Sequence, residues 1–446
     1  MKKMRLERTF WPVGHGAFYT EKFGGRVTVV YDCGSGLAPV RNIGGKDVSP
    51  KDVADRVNGF LPPKKDEDGN VIKDIDLLFI SHLHADHING VPALLPRVKR
   101  LVLPYFSDSM LLEALIYNAI STNDISFRSD TQNFILNLAI EQYNLRNIIT
   151  KVKPRDNESP RDRDWNPEGQ DVEIDNDEET ILSVQNLGAE HTSGEPIVIY
   201  RGKRHVPFWK YVPVNVGFDE WKGKVLLNKL IKGLDLDKKE IIVNGKIQWL
   251  VLASKLSTAN IITVYDIYTN VFGKKDQNNR VICNHNAYSM PVFSGPYGYL
   301  AALDLHSHIG IAMLNKRKHL YRYCDMDFHR LRSTFDEYYP YADKLLSCLY
   351  MGDYEAKPKK KLKALIDELQ TDYYRAGLQQ APHHFSIWNH NKELYHGRLM
   401  TFGNVEDDKE VNANSGVISE IKHYACAPNI IRKNDYPTMM GYWLHY

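Results

Sequence analysis

Three imidazoles and a carboxylate crowd into His82-Leu83-His84-Ala85-Asp86-His87, a His-x-His-x-Asp-His spacing. Neutral imidazole and ionised carboxylate are donors that suit zinc, and manganese accepts the same set. In an extended segment residues i and i+2 project to one side, so His82 and His84 are placed to share one ion. After a turn, Asp86 and His87 face a second ion, about 3.5–4 Å from the first in two-metal sites. A histidine-rich surface loop is the plainer reading in a chain with 17 histidines. The neighbours argue against it. The apolar run Ile75-Asp76-Leu77-Leu78-Phe79-Ile80 leads directly into the cluster, and Gly90-Val91-Pro92-Ala93 opens a helix behind it. Ligand loops at the end of a buried strand are where open α/β sheets place their chemistry.

Other short segments fall into an order around this cluster. Val13-Gly14-His15-Gly16 and Tyr31-Asp32-Cys33-Gly34 precede it; Asn286-Ala287-Tyr288-Ser289, Gly352-Asp353 and Pro382-His383-His384-Phe385-Ser386 follow. Together they resemble the metallo-β-lactamase superfamily, whose signature is H-x-H-x-D-H. More specifically, they resemble the branch holding the hydrolase domain of bacterial DNA-uptake channel proteins and related phosphodiesterases. That branch carries a G-x-G turn, D-C-G, N-x-x-S, G-D and a final P-H-H-G-S, from which this chain departs only at Phe385.

The resemblance implies an αββα sandwich, two divalent ions and hydrolysis by a hydroxide bridging them. It makes Asp86 and Asp353 the carboxylates of the reacting centre, with Asp353 between the ions. One of His383 and His384 completes the second site; His384 is favoured because the family's last histidine is followed by a small-residue turn one step on. His15 and Asp32 fall near the floor of the site, and Asp32 either orients a ligand imidazole or caps a turn. Asn286 and Ser289 belong to the same surroundings. Many members add a histidine between the first cluster and the bridging Asp. His191, His205 and His285 are candidates by type alone, and relatives with N-x-x-S often lack that ligand. His306, His308, His319 and His329, around Arg322 and Arg330, either line a phosphate-binding groove or decorate a surface insertion.

The elements that must position these groups are legible from periodicity. Strands are expected at Phe10–Val13 and Val27–Tyr31 as an opening hairpin, at 75–80 and at 98–103, with a helix over 51–60. Residues 107–145 read as helical, 153–180 as an acidic solvated loop, 197–200 and 209–214 as strands, and 222–272 as mostly helical. Core strands follow at 289–294 and 345–350, then a basic amphipathic helix at 357–369. In the family branch that the chain resembles, the C-terminal part, here from Leu399 with a strand, a helix and an aromatic end, finishes the second half of the sandwich, and the same is expected of it. The whole is one α/β domain over 1–446 with insertions at about 107–180, 215–280 and 300–342.

Composition narrows the function classes only a little. Lys+Arg 57 against Asp+Glu 55 gives a net charge of +2, unlike a dedicated nucleic-acid binder but compatible with a local basic groove. The 5 cysteines form no C-x-x-C pair and read as reduced core thiols of a cytoplasmic protein. No apolar run reaches membrane-spanning length. The expected function is a phosphodiesterase or nuclease acting on DNA, RNA or a nucleotide-like diester. The alternatives are a small-molecule hydrolase of lactonase, thioesterase or β-lactamase type, and a low-turnover metal-binding subunit of a multi-protein defence system. The insertions would offer surface for a protein partner.

Overall fold

The structure is a computed structural model that describes residues 3–35, 50–141, 143–155, 182–215, 217, 220–275, 281–283, 288–297, 346–386, 389–405, 414–423, 427–432 and 438–445. Asn286, His285, the histidines from 306 to 329 and most of the expected acidic loop lie outside the described residues.

The fold is mixed α/β. In chain order the strands are β1 (Lys3–Phe10), β2 (Phe18–Phe23), β3 (Val27–Cys33), β4 (Ile75–Phe79), β5 (Val98–Pro104), β6 (Ile149–Lys153), β7 (Leu182–Val184), β8 (Glu190–Thr192), β9 (Ile197–Arg201) and β10 (Val206–Pro213). Two small hairpins follow, β11 (Ile242–Val243) with β12 (Lys246–Ile247) and β13 (Gly273–Lys275) with β14 (Val281–Cys283). The chain then supplies β15 (Val292–Pro296), β16 (Cys348–Tyr350), β17 (Leu378–Gln380), β18 (Met400–Val405), β19 (Ala427–Arg432) and β20 (Thr438–His445). One 8-stranded sheet has the order β20-β1-β2-β3-β4-β5-β6-β8, the other β19-β18-β17-β16-β15-β10-β9-β7.

Strand periodicity sorts the side chains into three cores. Along β3, β4 and β5 one face gives Val29, Tyr31, Leu77, Phe79 and Val102 to a core that also receives Trp209, Tyr211, Val292, Cys348 and Tyr350 from the second sheet. The alternate residues Val30, Leu78, Ile80, Leu101 and Leu103 meet the helices Pro50–Phe60, Asp108–Ser121, Asp130–Ala139, Trp249–Leu256 and Ile261–Phe272. On the second sheet, Val212, Phe293 and Leu349 meet the helices Lys359–Leu369 and Ser415–His423. With both faces covered, β3 and β4 are buried along their whole length, which is why they read as continuous apolar runs.

The shared core also holds a buried ion pair. Arg8 Nε lies 2.5 Å from Glu21 Oε1, and Glu21 accepts from Tyr211 at 2.6 Å and Tyr350 at 2.8 Å. A buried charge left without partners is costly, so this network fixes the register of β2 against strands of both sheets.

Three expectations need correction. The opening element is a three-stranded meander: the expected strand Phe10–Val13 is absent beyond Phe10, where β1 ends, and β2 lies between β1 and β3 and pairs antiparallel with both. The expected insertion at 107–180 contains β6, which extends the first sheet in parallel with β5. The C-terminal part divides: β18 and β19 join the second sheet, whereas β20 pairs antiparallel with β1 along its length and closes the first. No single described helix is long and apolar enough to cross a membrane.

Candidate metal centre

Parallel strands of both sheets deliver the chemistry at their carboxyl ends. β3 ends at Asp32 and Cys33, β4 runs into Ser81–His87, β16 into Gly352-Asp353, and β17 into Pro382–Phe385. The backbone supports under these loops are close. A Cβ on Gly34 would fall 2.0 Å from the carbonyl oxygen of Asp86, so only glycine admits the turn that carries Asp86 and His87. Gly352, at φ +52°, would strike Ser289 Oγ at 2.4 Å and Ser81 Cβ at 2.5 Å. The amide of Asp353 then donates to Ser289 Oγ at 3.0 Å, which is the role of the expected Ser289.

Asp353 stands between two groups of imidazoles. Its Oδ1 lies 3.1 Å from His87 Nε2 and 3.9 Å from His384 Nε2; its Oδ2 lies 3.7 Å from His82 Nε2 and 3.8 Å from His383 Nε2. Asp86 Oδ2 closes the first group, 3.8 Å from His87 Nε2 and 3.7 Å from His384 Nε2. Asp86, His87, Asp353 and His384 bring one donor atom each within 4.8 Å of one another, a set that could hold a metal ion. Both members of the His383-His384 pair face Asp353, one on each oxygen, and His384, the favoured one, is the member that falls within the four-residue set.

Hydrogen bonds decide which ring nitrogen each histidine presents. Ser81 Oγ gives its proton to Asp32 Oδ2 at 2.7 Å, so it accepts from His82 Nδ1 at 3.0 Å. Asp32 Oδ2 takes the Nδ1 proton of His87 at 2.8 Å. Asn389 donates to the carbonyl of Asp353, leaving its Oδ1 to accept from His383 Nδ1 at 3.1 Å, and the Asn404 carbonyl accepts from His384 Nδ1 at 3.1 Å. In all four rings Nδ1 is held and Nε2 points at Asp353. A buried nitrogen aimed at a site without a hydrogen-bond partner needs another source of satisfaction. His82 Nε2, His87 Nε2, His384 Nε2 and Asp353 Oδ1 are all of this kind, and a cation fits them.

The electrostatics agree. Burial works against charge on His87, but Asp353, Asp86 and Asp32 outweigh it and hold its imidazole well above the usual histidine range. Burial alone would raise Asp353; His383, His87 and His82 instead hold its carboxyl well below the usual range, and His87 and His384 lower Asp86 in the same way. Burial, with His87 and His84 alongside, pushes His82 far down and leaves it a neutral donor. Burial raises Asp32 against the pull of His87 and Ser81.

Asp32 itself sits at φ +53° and is fully buried, orienting His87 and the amide of Ser81 at 2.6 Å. His15 lies against His384, ring centroids 4.2 Å apart. His383, His384 and Phe385 form three successive left-handed residues at φ 46°, 52° and 65°. Each costs on the order of 1 kcal/mol or more relative to glycine. Phe385 thus keeps the backbone that a glycine there would favour, and its buried ring packs on Gly403 to hold the turn.

His84 is held differently from the other four rings. Its ring stacks on Tyr117 at 3.8 Å and its Nε2 meets the Tyr288 hydroxyl at 3.0 Å, with Glu113 Oε1 3.6 Å away. His191 instead contacts the Glu195 carbonyl at 3.0 Å, and His205 lies beside Tyr200; neither is in the cluster. Ser81, Asn389, Asn404, Tyr288 and Glu113 were not anticipated. Ser81 and Tyr288 sit inside the motifs and could have been proposed. Glu113 had one signal, an acid within the apolar helical run Met110-Leu111-Leu112-Glu113-Ala114-Leu115-Ile116. Asn389 and Asn404 had none.

No protein-family model matches the chain, and no curated protein matches it either.

Proposed function

We propose that this chain is a two-metal hydrolase of the metallo-β-lactamase superfamily, acting as a phosphodiesterase or nuclease on nucleic acid or a nucleotide-like diester. The observation that carries the reading is the convergence on Asp353, whose Oδ1 is buried without a hydrogen-bond partner, of three buried nitrogens that also lack one: His82 Nε2, His87 Nε2 and His384 Nε2. One ion would be held by Asp86, His87, His384 and Asp353 Oδ1; the other by Asp353 Oδ2 with His82, His383 and His84. Zinc is the first choice for these donors, and manganese suits them as well. The layering supports the family reading, since two sheets share one core and carry helices on their other faces, as an αββα sandwich requires. The motif order around Asn286-x-x-Ser289 and His383-His384 favours phosphodiesters over β-lactams.

Divalent ions bound here would supply Lewis acidity toward a phosphoryl oxygen and acidify water. The protein's own groups do the rest. Asp353 and Asp86 are held ionised to receive the cations, Asp32 takes the Nδ1 proton of His87, and Ser81 and Asn389 fix the rings on the Oδ2 side. His383, whose side chain is 28% exposed, is the most open of the ligand rings and stands where substrate would enter. The reading is tested by assaying bis(p-nitrophenyl) phosphate, linear DNA and nitrocefin with manganese or zinc. Cleavage of the diesters, lost in D353N, is expected; hydrolysis of nitrocefin alone would overturn it.

A further inference from the structure

Four histidines of the centre have Nδ1 held and Nε2 presented; His84 is the exception. Its Nε2 contacts the Tyr288 hydroxyl at 3.0 Å. That hydroxyl has one proton, and it donates it to Glu113 Oε2. Toward His84, then, the Tyr288 oxygen can only accept, so the imidazole carries its proton on Nε2 and the lone pair on Nδ1. The other carboxylate oxygen of Glu113 is occupied as well, accepting from Tyr268 at 2.6 Å. Glu113 is fully buried, and Tyr288 and Tyr268 nearly so. All three rings and the carboxylate are packed by the helices Asp108–Ser121 and Ile261–Phe272, which lie in the helical layer outside the first sheet.

From this geometry we infer that Glu113 and Tyr288 are positioning residues. They fix the proton of His84 on Nε2 and leave the lone pair on Nδ1, which would then be the nitrogen this ring offers a cation. The inference rests on the proposed metal-centre reading and adds what that reading does not contain: a helical layer, expected only as an insertion, reaches the centre and sets the protonation of one ligand. The chemistry is that of a carboxylate–hydroxyl–imidazole chain, whose members outside the coordination shell orient a ligand ring and raise its basicity.

Two variants separate positioning from packing. Glu113→Gln keeps the shape, but its amide N–H can donate to the Tyr288 oxygen, which turns the phenol into a donor toward His84 Nε2 and moves the imidazole proton to Nδ1. Tyr288→Phe keeps the ring and removes the link. The first readout needs no metal: ¹⁵N-histidine labelling, with His84→Ala to assign the signal, reports the tautomer in the metal-free chain. The wild type is expected to show Nε2–H at His84, and the Glu113→Gln chain to lose that signature. The second readout is a titration with zinc alone, counted by native mass spectrometry. Each variant is expected to bind one of two ions 10–100-fold more weakly, roughly the loss typical of such partners, and the other ion unchanged. An Nδ1–H signature at His84 in the wild type would overturn the inference, as would two ions bound with undiminished affinity in both variants. A wild type that binds no zinc yet shows Nε2–H at His84 would sink the metal-centre reading while leaving the tautomer assignment standing.

Discussion

The two oxygens of Asp353 face surroundings of different construction. On the Oδ1 side, Asp86, His87 and His384 come from both sheets and gather within 4.8 Å, under a turn so close that Gly34 cannot carry a side chain. On the Oδ2 side, His82 and His383 stand at 3.7 and 3.8 Å, His383 is partly exposed, and His84 is tied to the helical layer. The first side is a compact set with two carboxylates that could hold a metal ion. The second is more open, at His383, and is built mostly from imidazoles. The difference teaches that one carboxylate can face two unlike surroundings although the same strand-end loops supply both, His82 with His87 after β4 and His383 with His384 after β17.

The largest effect expected is from Asp353→Ala, which removes the group common to both sides. Cleavage of a phosphodiester should fall by more than about 10³-fold, beyond the loss of a single charge-stabilising donor. Retained activity in a steady-state assay would break the comparison at its centre. Next, His384→Ala should abolish the tighter ion, whereas His383→Ala should weaken only the looser one. Metal content after dialysis separates them, and equal loss in both variants would mean that the two sides are not distinct.

A smaller effect is expected from Asp32→Asn, which leaves every ligand in place but no longer takes the His87 proton as a carboxylate. Affinity on the Oδ1 side should fall roughly 10–100-fold with the Oδ2 side unchanged. Isothermal titration with zinc checks this.

The pH dependence sharpens the contrast further. In the metal-free chain His87 is held well above the usual histidine range, so near neutral pH it keeps a proton that a cation must displace. Affinity on that side should therefore rise with pH, with proton release seen as a dependence of the binding heat on the buffer. His82 is pushed far down and is already neutral there, so the Oδ2 side should release no proton and its affinity should be nearly flat between pH 7 and pH 8, on the order of a factor of two or less.

Much of this centre was legible in the sequence because its first half is local. His82 to His87 lie in one loop after one apolar strand, and the loop's geometry follows from the strand. Asp353, His383 and His384 are distant in sequence, and it was the resemblance of their short motifs, in order, to the metallo-β-lactamase pattern that brought them in. The fold failed to be legible where long-range pairing decided it. Nothing local says that Thr438–His445 returns to the edge of β1. In β2 the buried Glu21 breaks the apolar pattern, and only Arg8, Tyr211 and Tyr350 from other strands explain it. Glu113, Asn389 and Asn404 were hidden for the same reason, since each acts through a partner that only the folded chain supplies.

The most direct test of the account is the number of ions held around Asp353. Native mass spectrometry of the wild type and of Asp353→Asn, each loaded with zinc and dialysed, should give two ions per wild-type chain and loss of at least one in the variant. A wild-type chain that retains no zinc, or a variant that retains as much as the wild type, would contradict it.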